Sequence, residues 1–190
     1  VELKKKYNSK IIGFDGDEER IPGIDILSKD NQNQKIGNLT FKTIFIPGHT
    51  KGHVAFYFKD EKIIFTGDTL FSLGCGRVFE GTYEDMFNSL SKLKILPWDT
   101  KVYCGHEYTK SNLNFCLKYD LNNSLLKKKS IEINSKIKNG LPTIPTTIGE
   151  ELKTNIFLRY DDNDIKQVLN LKDSSHEEVF SKLRDLKDVF

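Results

Sequence analysis

The sequence predicts an α/β protein in two parts, residues 1–107 rich in strand and residues 108–190 helical. Three observations predict it. Up to about residue 107, short apolar runs alternate with Gly-containing turns. After His106, four segments carry the 3.6-residue rhythm of amphipathic helices. The length of 190 residues suits one domain with a smaller appendage, since a domain takes roughly 100–200 residues.

Each element has its own signal. Lys10 to Phe14 reads as a strand, and Gly16-Asp17-Glu18-Glu19 as a polar loop. Asp30-Asn31-Gln32-Asn33-Gln34 reads as a turn between the runs Ile24–Leu27 and Leu39–Ile46, the second stopped by Pro47-Gly48. Val54–Phe58 and Ile63–Thr66 flank Lys59-Asp60-Glu61-Lys62 as a hairpin. Glu84–Leu96 carries Met86, Phe87, Leu90 and Leu93 at helical spacing, with Thr82 and Glu84 to start it. Lys101–Cys104 is a further short strand. Helices follow over Asn112–Tyr119, Ser124–Ile137, Asp164–Leu169 and Ser174–Leu186, the last with Ser174 and Glu177 in capping-box spacing. Asn139-Gly140-Leu141-Pro142 and Pro145 interrupt the helical half.

Composition excludes several functions. Lys and Arg number 29 against 27 Asp and Glu, a net charge of +2, so no general grip on nucleic acid or an anionic membrane is expected. No apolar run approaches the roughly 18–20 residues of a membrane helix. Cys75, Cys104 and Cys116 are odd in number with no C-x-x-C spacing, which points to a reducing cytoplasm. The chain opens on Val1 with no apolar signal stretch. Lys127-Lys128-Lys129 reads as a solvated helix face.

Chemistry concentrates in three islands, each at a strand end beside a Gly: Pro47-Gly48-His49-Thr50-Lys51-Gly52-His53, Phe65-Thr66-Gly67-Asp68-Thr69-Leu70-Phe71, and Cys104-Gly105-His106-Glu107-Tyr108. Taken singly, a His after Pro-Gly or a Gly-Asp pair is most often a turn residue. Taken together, the imidazoles of His49 and His106 with the carboxylate of Asp68 suit zinc or a similar ion, and Asp68 is the natural bridge in a two-metal site. His53 opens the next strand and reads as a supporting histidine.

These segments, with Gly74-Cys75-Gly76-Arg77-Val78-Phe79-Glu80-Gly81-Thr82, occur in an order that resembles glyoxalase II, the hydroxyacylglutathione hydrolases of the metallo-β-lactamase superfamily. The resemblance extends through Asn155-Ile156-Phe157-Leu158-Arg159 and Leu183-Arg184-Asp185-Leu186-Lys187-Asp188. It implies an αββα sandwich whose first part is missing from residues 1–107, followed by an all-helical substrate-binding domain over 108–190. It implies two divalent metal ions, zinc first with iron or manganese as alternatives, held by His49, Asp68 and His106. Arg77 and Tyr108 would hold the glutathione part of the substrate. The implied reaction is hydrolysis of S-D-lactoylglutathione to D-lactate and glutathione by a metal-bound hydroxide, with Asp68 beside it. A monomer acting on a small-molecule thioester is expected.

Departures from the pattern set further expectations. The superfamily's H-x-H-x-D-H signature is absent, and residues 1–48 hold no His. The chain is therefore expected to be N-terminally truncated and inactive alone, its parent active, with unpaired sheet edges and an open core. Phe79 stands where some members have Tyr. Where some members carry an Arg and a Lys that contact glutathione, Tyr160-Asp161-Asp162-Asn163-Asp164 is acidic and should repel an anionic ligand. The rivals are a persulfide dioxygenase of the same fold, using iron, and a non-catalytic glutathione-binding fragment. A redox role for Cys75 and Cys104 is the weaker reading, since buried free Cys behaves as a small hydrophobe.

Overall fold

A computed structural model describes all residues 1–190. The chain opens with helix α1 (Glu2–Tyr7), then β1 (Ile12–Phe14) and β2 (Ile26–Ser28), which pair in parallel. The polar segment between them is a short 3-10 helix, Asp15–Arg20, rather than a loop. The central sheet begins with β3 (Asn33–Ile36) and β4 (Leu39–Phe45), joined by a turn at Gly37 (φ 57°). β3 replaces part of the expected turn. Its one apolar residue gives it no period of its own, and pairing to β4 makes it a strand.

The hairpin of β5 (Val54–Phe58) and β6 (Ile63–Gly67) forms as expected. A miniature hairpin follows, β7 (Leu70–Phe71) with β8 (Gly74–Cys75), which the sequence did not announce. Helix α2 (Tyr83–Lys94) crosses over to β9 (Lys101–Cys104), which pairs in parallel with β6. Its capping box uses Thr82 with Asp85, the residue after the expected Glu84.

The second half is α3 (Thr109–Tyr119), α4 (Ser124–Lys138), β10 (Thr146–Thr147), α5 (Ile148–Thr154), a 3-10 turn at Ile156–Leu158, α6 (Asn163–Val168) and α7 (His176–Asp188). It is not wholly helical, because β10 pairs with β9 and completes a six-stranded sheet of order β10-β9-β6-β5-β4-β3. The α7 cap is Ser175 with Glu178, one residue beyond the expected pair. Ser174 is already engaged, its N–H donating to Leu171 O and its carbonyl accepting from Lys166. No helix is long and apolar enough to cross a membrane.

One core joins the two halves. Alternation along the strands turns Ala55, Tyr57, Ile64 and Val102 toward Met86, Leu90 and Leu93 of α2. The same buried cluster of 26 residues continues through Phe115, Phe157, Phe180 and Leu183. On the opposite sheet face, Phe58, Phe65 and Tyr103 form a row with ring centroids 5.9 and 5.5 Å apart. Phe65 in that row is 46% exposed, a large apolar ring open to solvent on a mid-sheet strand.

Candidate metal centre and adjoining cleft

Three strand ends meet at one rim. After β4, Gly48 takes φ 142°, and a Cβ there would lie 2.9 Å from the Met86 backbone. Only Gly allows the chain to turn so close to α2. Ser89 Oγ, on α2, donates to Pro47 O at 2.6 Å and fixes the same turn, so His49 is delivered to the rim. At the end of β6, Gly67 (φ 50°) packs against the His53 ring, and His53 Nε2 accepts the backbone N–H of Asp68 at 2.9 Å. After β9, Gly105 donates its N–H to Gly67 O at 2.9 Å and has no Cβ to collide with the Asp68 carboxylate. His106 follows.

The resulting geometry is shared through one carboxylate. Asp68 Oδ2 lies 3.4 Å from His49 Nε2, and Asp68 Oδ1 lies 3.6 Å from His106 Nε2. His49 Nδ1 is 2.9 Å from Arg77 O. A carbonyl only accepts, so Nδ1 carries the proton and Nε2 turns its lone pair to Asp68 unless a second proton is bound. Two acceptors facing each other need a cation or a proton between them. Asp68 Oδ1 is buried without any hydrogen-bond partner, which an ion on the His106 side would supply. No group of three or more His, Cys, Asp and Glu side chains is arranged to hold a single ion. Each oxygen of Asp68 instead faces one imidazole nitrogen, Oδ2 toward His49 and Oδ1 toward His106.

His53 supports this arrangement from behind. Burial, then the neighbouring His49, hold its imidazole below the ordinary histidine value. It therefore stays neutral and can accept from Asp68.

A cleft of about 540 Å³ adjoins the rim. His49, Asp68, His106, Arg77 and Tyr108, all anticipated from the sequence, line it together. Phe71 and Phe79 supply apolar walls; Phe79 lies 5.0 Å from the His49 ring, and Tyr108 stacks on His106 at 5.1 Å. Arg77 is 61% exposed, with Nε 3.6 Å from Asp188.

Sequence reasoning missed the wall made by α7. Arg184, Lys187 and Phe190 line the same cleft. Lys187 Nζ donates to Ser111 O and Oγ at 3.2 and 3.1 Å, between the rings of Phe115 and Phe190. Burial holds its ammonium below the ordinary lysine value. Arg184 is 2% exposed and donates to Cys75 O at 3.0 Å and Gly76 O at 3.4 Å. The acidic stretch after Arg159 does not face the cleft, which corrects the expected repulsion. Asp161 pairs with Lys94 at 3.1 Å, and Asp162 caps α6 and binds Arg159. The cationic pair on the helical side is Arg184 and Lys187, three residues apart on α7. The available signal was that spacing beside the apolar positions of a helix.

Burial pushes Cys75 and Cys104 above the ordinary thiol value and Cys116 up to about 12, so none is a poised thiolate.

Two family models match the chain in succession. Residues 3–106 match the model of the metallo-beta-lactamase superfamily, and residues 107–190 match that of the hydroxyacylglutathione hydrolase C-terminus. A hydroxyacylglutathione hydrolase of Pelagibacter ubique is 54% identical over 189 residues, covering 100% of this chain and 73% of the relative. The chain belongs to the hydroxyacylglutathione hydrolase family. A second hydroxyacylglutathione hydrolase, from Brucella anthropi, is 50% identical over 99% of this chain and 72% of its own length. Membership places the chain among the metal-dependent hydrolases of the metallo-β-lactamase superfamily. Solved structures agree on the fold. ETHE1 from Myxococcus xanthus superposes with a TM-score of 0.62 at 21% identity, over 97% of this chain. The chain spans 61% of that structure's length. The BLEG-1 B3 metallo-beta-lactamase gives 0.57 at 22% identity, over 83% of this chain and 68% of its own.

Proposed function

We propose that this site hydrolyses the thioester of S-D-lactoylglutathione to D-lactate and glutathione, with divalent metal held by His49, Asp68 and His106. The observation that carries the proposal is the division of Asp68, one oxygen toward each histidine. Bound metal, zinc first and iron or manganese as alternatives, would supply Lewis acidity that polarises a carbonyl and acidifies water.

The chain's own residues do the rest. Arg77 and Lys187 face the cleft as cations suited to the carboxylates of a glutathione moiety. Phe71, Phe79 and Tyr108 give the cleft apolar surface against which the thioester would pack. His49 is held in one tautomer by Arg77 O, and Asp68 is held in place by His53. Residues 1–107 would thus supply the metal-facing groups and residues 108–190 a substrate wall. Three free thiols favour a reducing, cytoplasmic setting.

The test is thiol release from S-D-lactoylglutathione by the protein expressed from its complete coding sequence, after metal removal and after repletion with zinc, manganese or iron. Hydrolysis that returns with metal and is lost in Asp68→Asn is expected. Oxygen uptake with glutathione persulfide and no thioester hydrolysis would instead establish the dioxygenase reading and overturn this one.

A further inference from the structure

The β7–β8 hairpin is held from outside its own half. Leu73, at its tip, takes φ 60°, a left-handed conformation that a Leu does not keep unaided. Around it, one backbone group after another is met by a buried side chain from the second half. Asn112 Nδ2 donates to Ser72 O at 3.0 Å. Glu151 Oε2 accepts Leu73 N–H at 2.7 Å. Asn155 Nδ2 donates to Gly74 O at 3.0 Å and to Phe71 O at 3.4 Å. Glu151 and Asn155 are both fully buried.

These two side chains are themselves locked. Asn155 Nδ2 also donates to Glu151 Oε2 at 2.9 Å, while its Oδ1 accepts Phe157 N–H at 3.0 Å. Thr146 Oγ1 donates to Glu151 Oε1 at 2.7 Å. A buried carboxyl is costly to keep, and this one is directed at a single backbone N–H of a strained tip.

What lies just beyond the hairpin gives the anchor its consequence. Gly76 N–H donates to Thr69 O at 3.1 Å, and Gly76 packs directly on the Asp68 carbonyl. The next residue, Arg77, supplies the carbonyl that accepts His49 Nδ1. Displacing the hairpin therefore displaces the group that decides which nitrogen of His49 is free.

We propose that Glu151 and Asn155 are positioning residues of the metal centre, acting through the Phe71–Arg77 segment to hold His49 as its Nδ1–H tautomer with Nε2 toward Asp68. The proposal rests on the reading of His49 as a metal-facing group. Its main readout needs neither metal nor substrate, so it can fail while the hydrolase reading stands, and the reverse.

The experiment is ¹⁵N NMR of the metal-free protein, reading the His49 imidazole nitrogens and the exchange of the Gly76 amide. Glu151→Met and the milder Asn155→Asp are compared with Glu151→Gln and with Ile165→Ala, a core truncation outside the hairpin. Asn155→Asp keeps the acceptor for Phe157 and loses the donor to Phe71 and Gly74. In Glu151→Met and Asn155→Asp, His49 becomes a mixture of tautomers and Gly76 exchange accelerates. Zinc affinity in the same variants falls roughly tenfold or more, the range for loss of groups that orient metal ligands. Glu151→Gln keeps an acceptor for Leu73 and restores both signals. The proposal is overturned if His49 keeps one tautomer in Asn155→Asp, or if Ile165→Ala produces the same changes at matched stability.

Discussion

The His53 ring accepts the backbone N–H of Asp68 at 2.9 Å through Nε2, the nitrogen that a charged imidazole would need as a donor. A neutral His53 is thus built into the placement of Asp68. Replacing it with Phe leaves a part-buried N–H unpaired, at about 1–3 kcal/mol. We expect His53→Phe to weaken zinc binding roughly 10–100-fold, and His53→Gln, which keeps an acceptor, to recover much of it. Competition with a chromophoric chelator measures this, and equal affinity in all three proteins would remove His53 from the site.

Gly48 and Gly37 make a matched pair of substitutions. Both have positive φ, but a Cβ at Gly37 meets nothing within 4 Å, whereas at Gly48 it meets the Met86 backbone. Gly37→Ala should cost about 1 kcal/mol, the conformational penalty alone. Gly48→Ala should cost roughly 2–4 kcal/mol and also lower metal affinity, because His49 is the next residue. Denaturant unfolding separates the two, and equal costs would show that the Gly48 turn is free to relax.

Burial pushes the Glu151 carboxyl up to about 7, despite its hydrogen bonds from Thr146, Leu73 and Asn155. The folded state therefore holds a proton that the unfolded chain releases near the ordinary glutamate value of 4.5. Stability from this group is fully present below about pH 4.5 and declines as pH rises to about 7, by roughly 3 kcal/mol. Subtracting the profile of Glu151→Gln from that of the parent isolates this slope. Superimposable profiles would mean that Glu151 titrates normally.

Lys187 and Arg77 should act on binding rather than on the chemical step. We expect Lys187→Met and Arg77→Met each to raise KM for the glutathione thioester about tenfold, with kcat nearly unchanged. The Arg77 backbone carbonyl, which holds His49, survives the substitution. A fall in kcat with constant KM would contradict the assignment of these two cations to substrate carboxylates.

Much of this was legible in the sequence, for physical reasons. His49, Asp68 and His106 stood out because side chains able to bind a metal sit there beside glycines where strands end, and those glycines are required by close backbone approach. Strands β5, β6 and β9 announced themselves by apolar content. β7 and β8 did not, since two residues carry no period and the hairpin owes its shape to side chains some 40–80 positions away. The α7 cap was read one residue early because Ser174-Ser175-His176-Glu177-Glu178 spells the capping box twice. Arg184 was passed over because a charge on an amphipathic helix looks solvated, and only packing reveals that it is 2% exposed.

The pairing of β10 with β9 also bears on how the molecule is made. As the chain leaves the ribosome, the outer edge of β9 stays bare until Thr146 and Thr147 have emerged. Over that interval the nascent protein carries His49, Asp68 and His106 together with an open strand edge, the form most prone to pair with a neighbour. Synthesis of the second half is thus also the step that covers the β9 edge, leaving the two-residue β10 as the outer strand on that side.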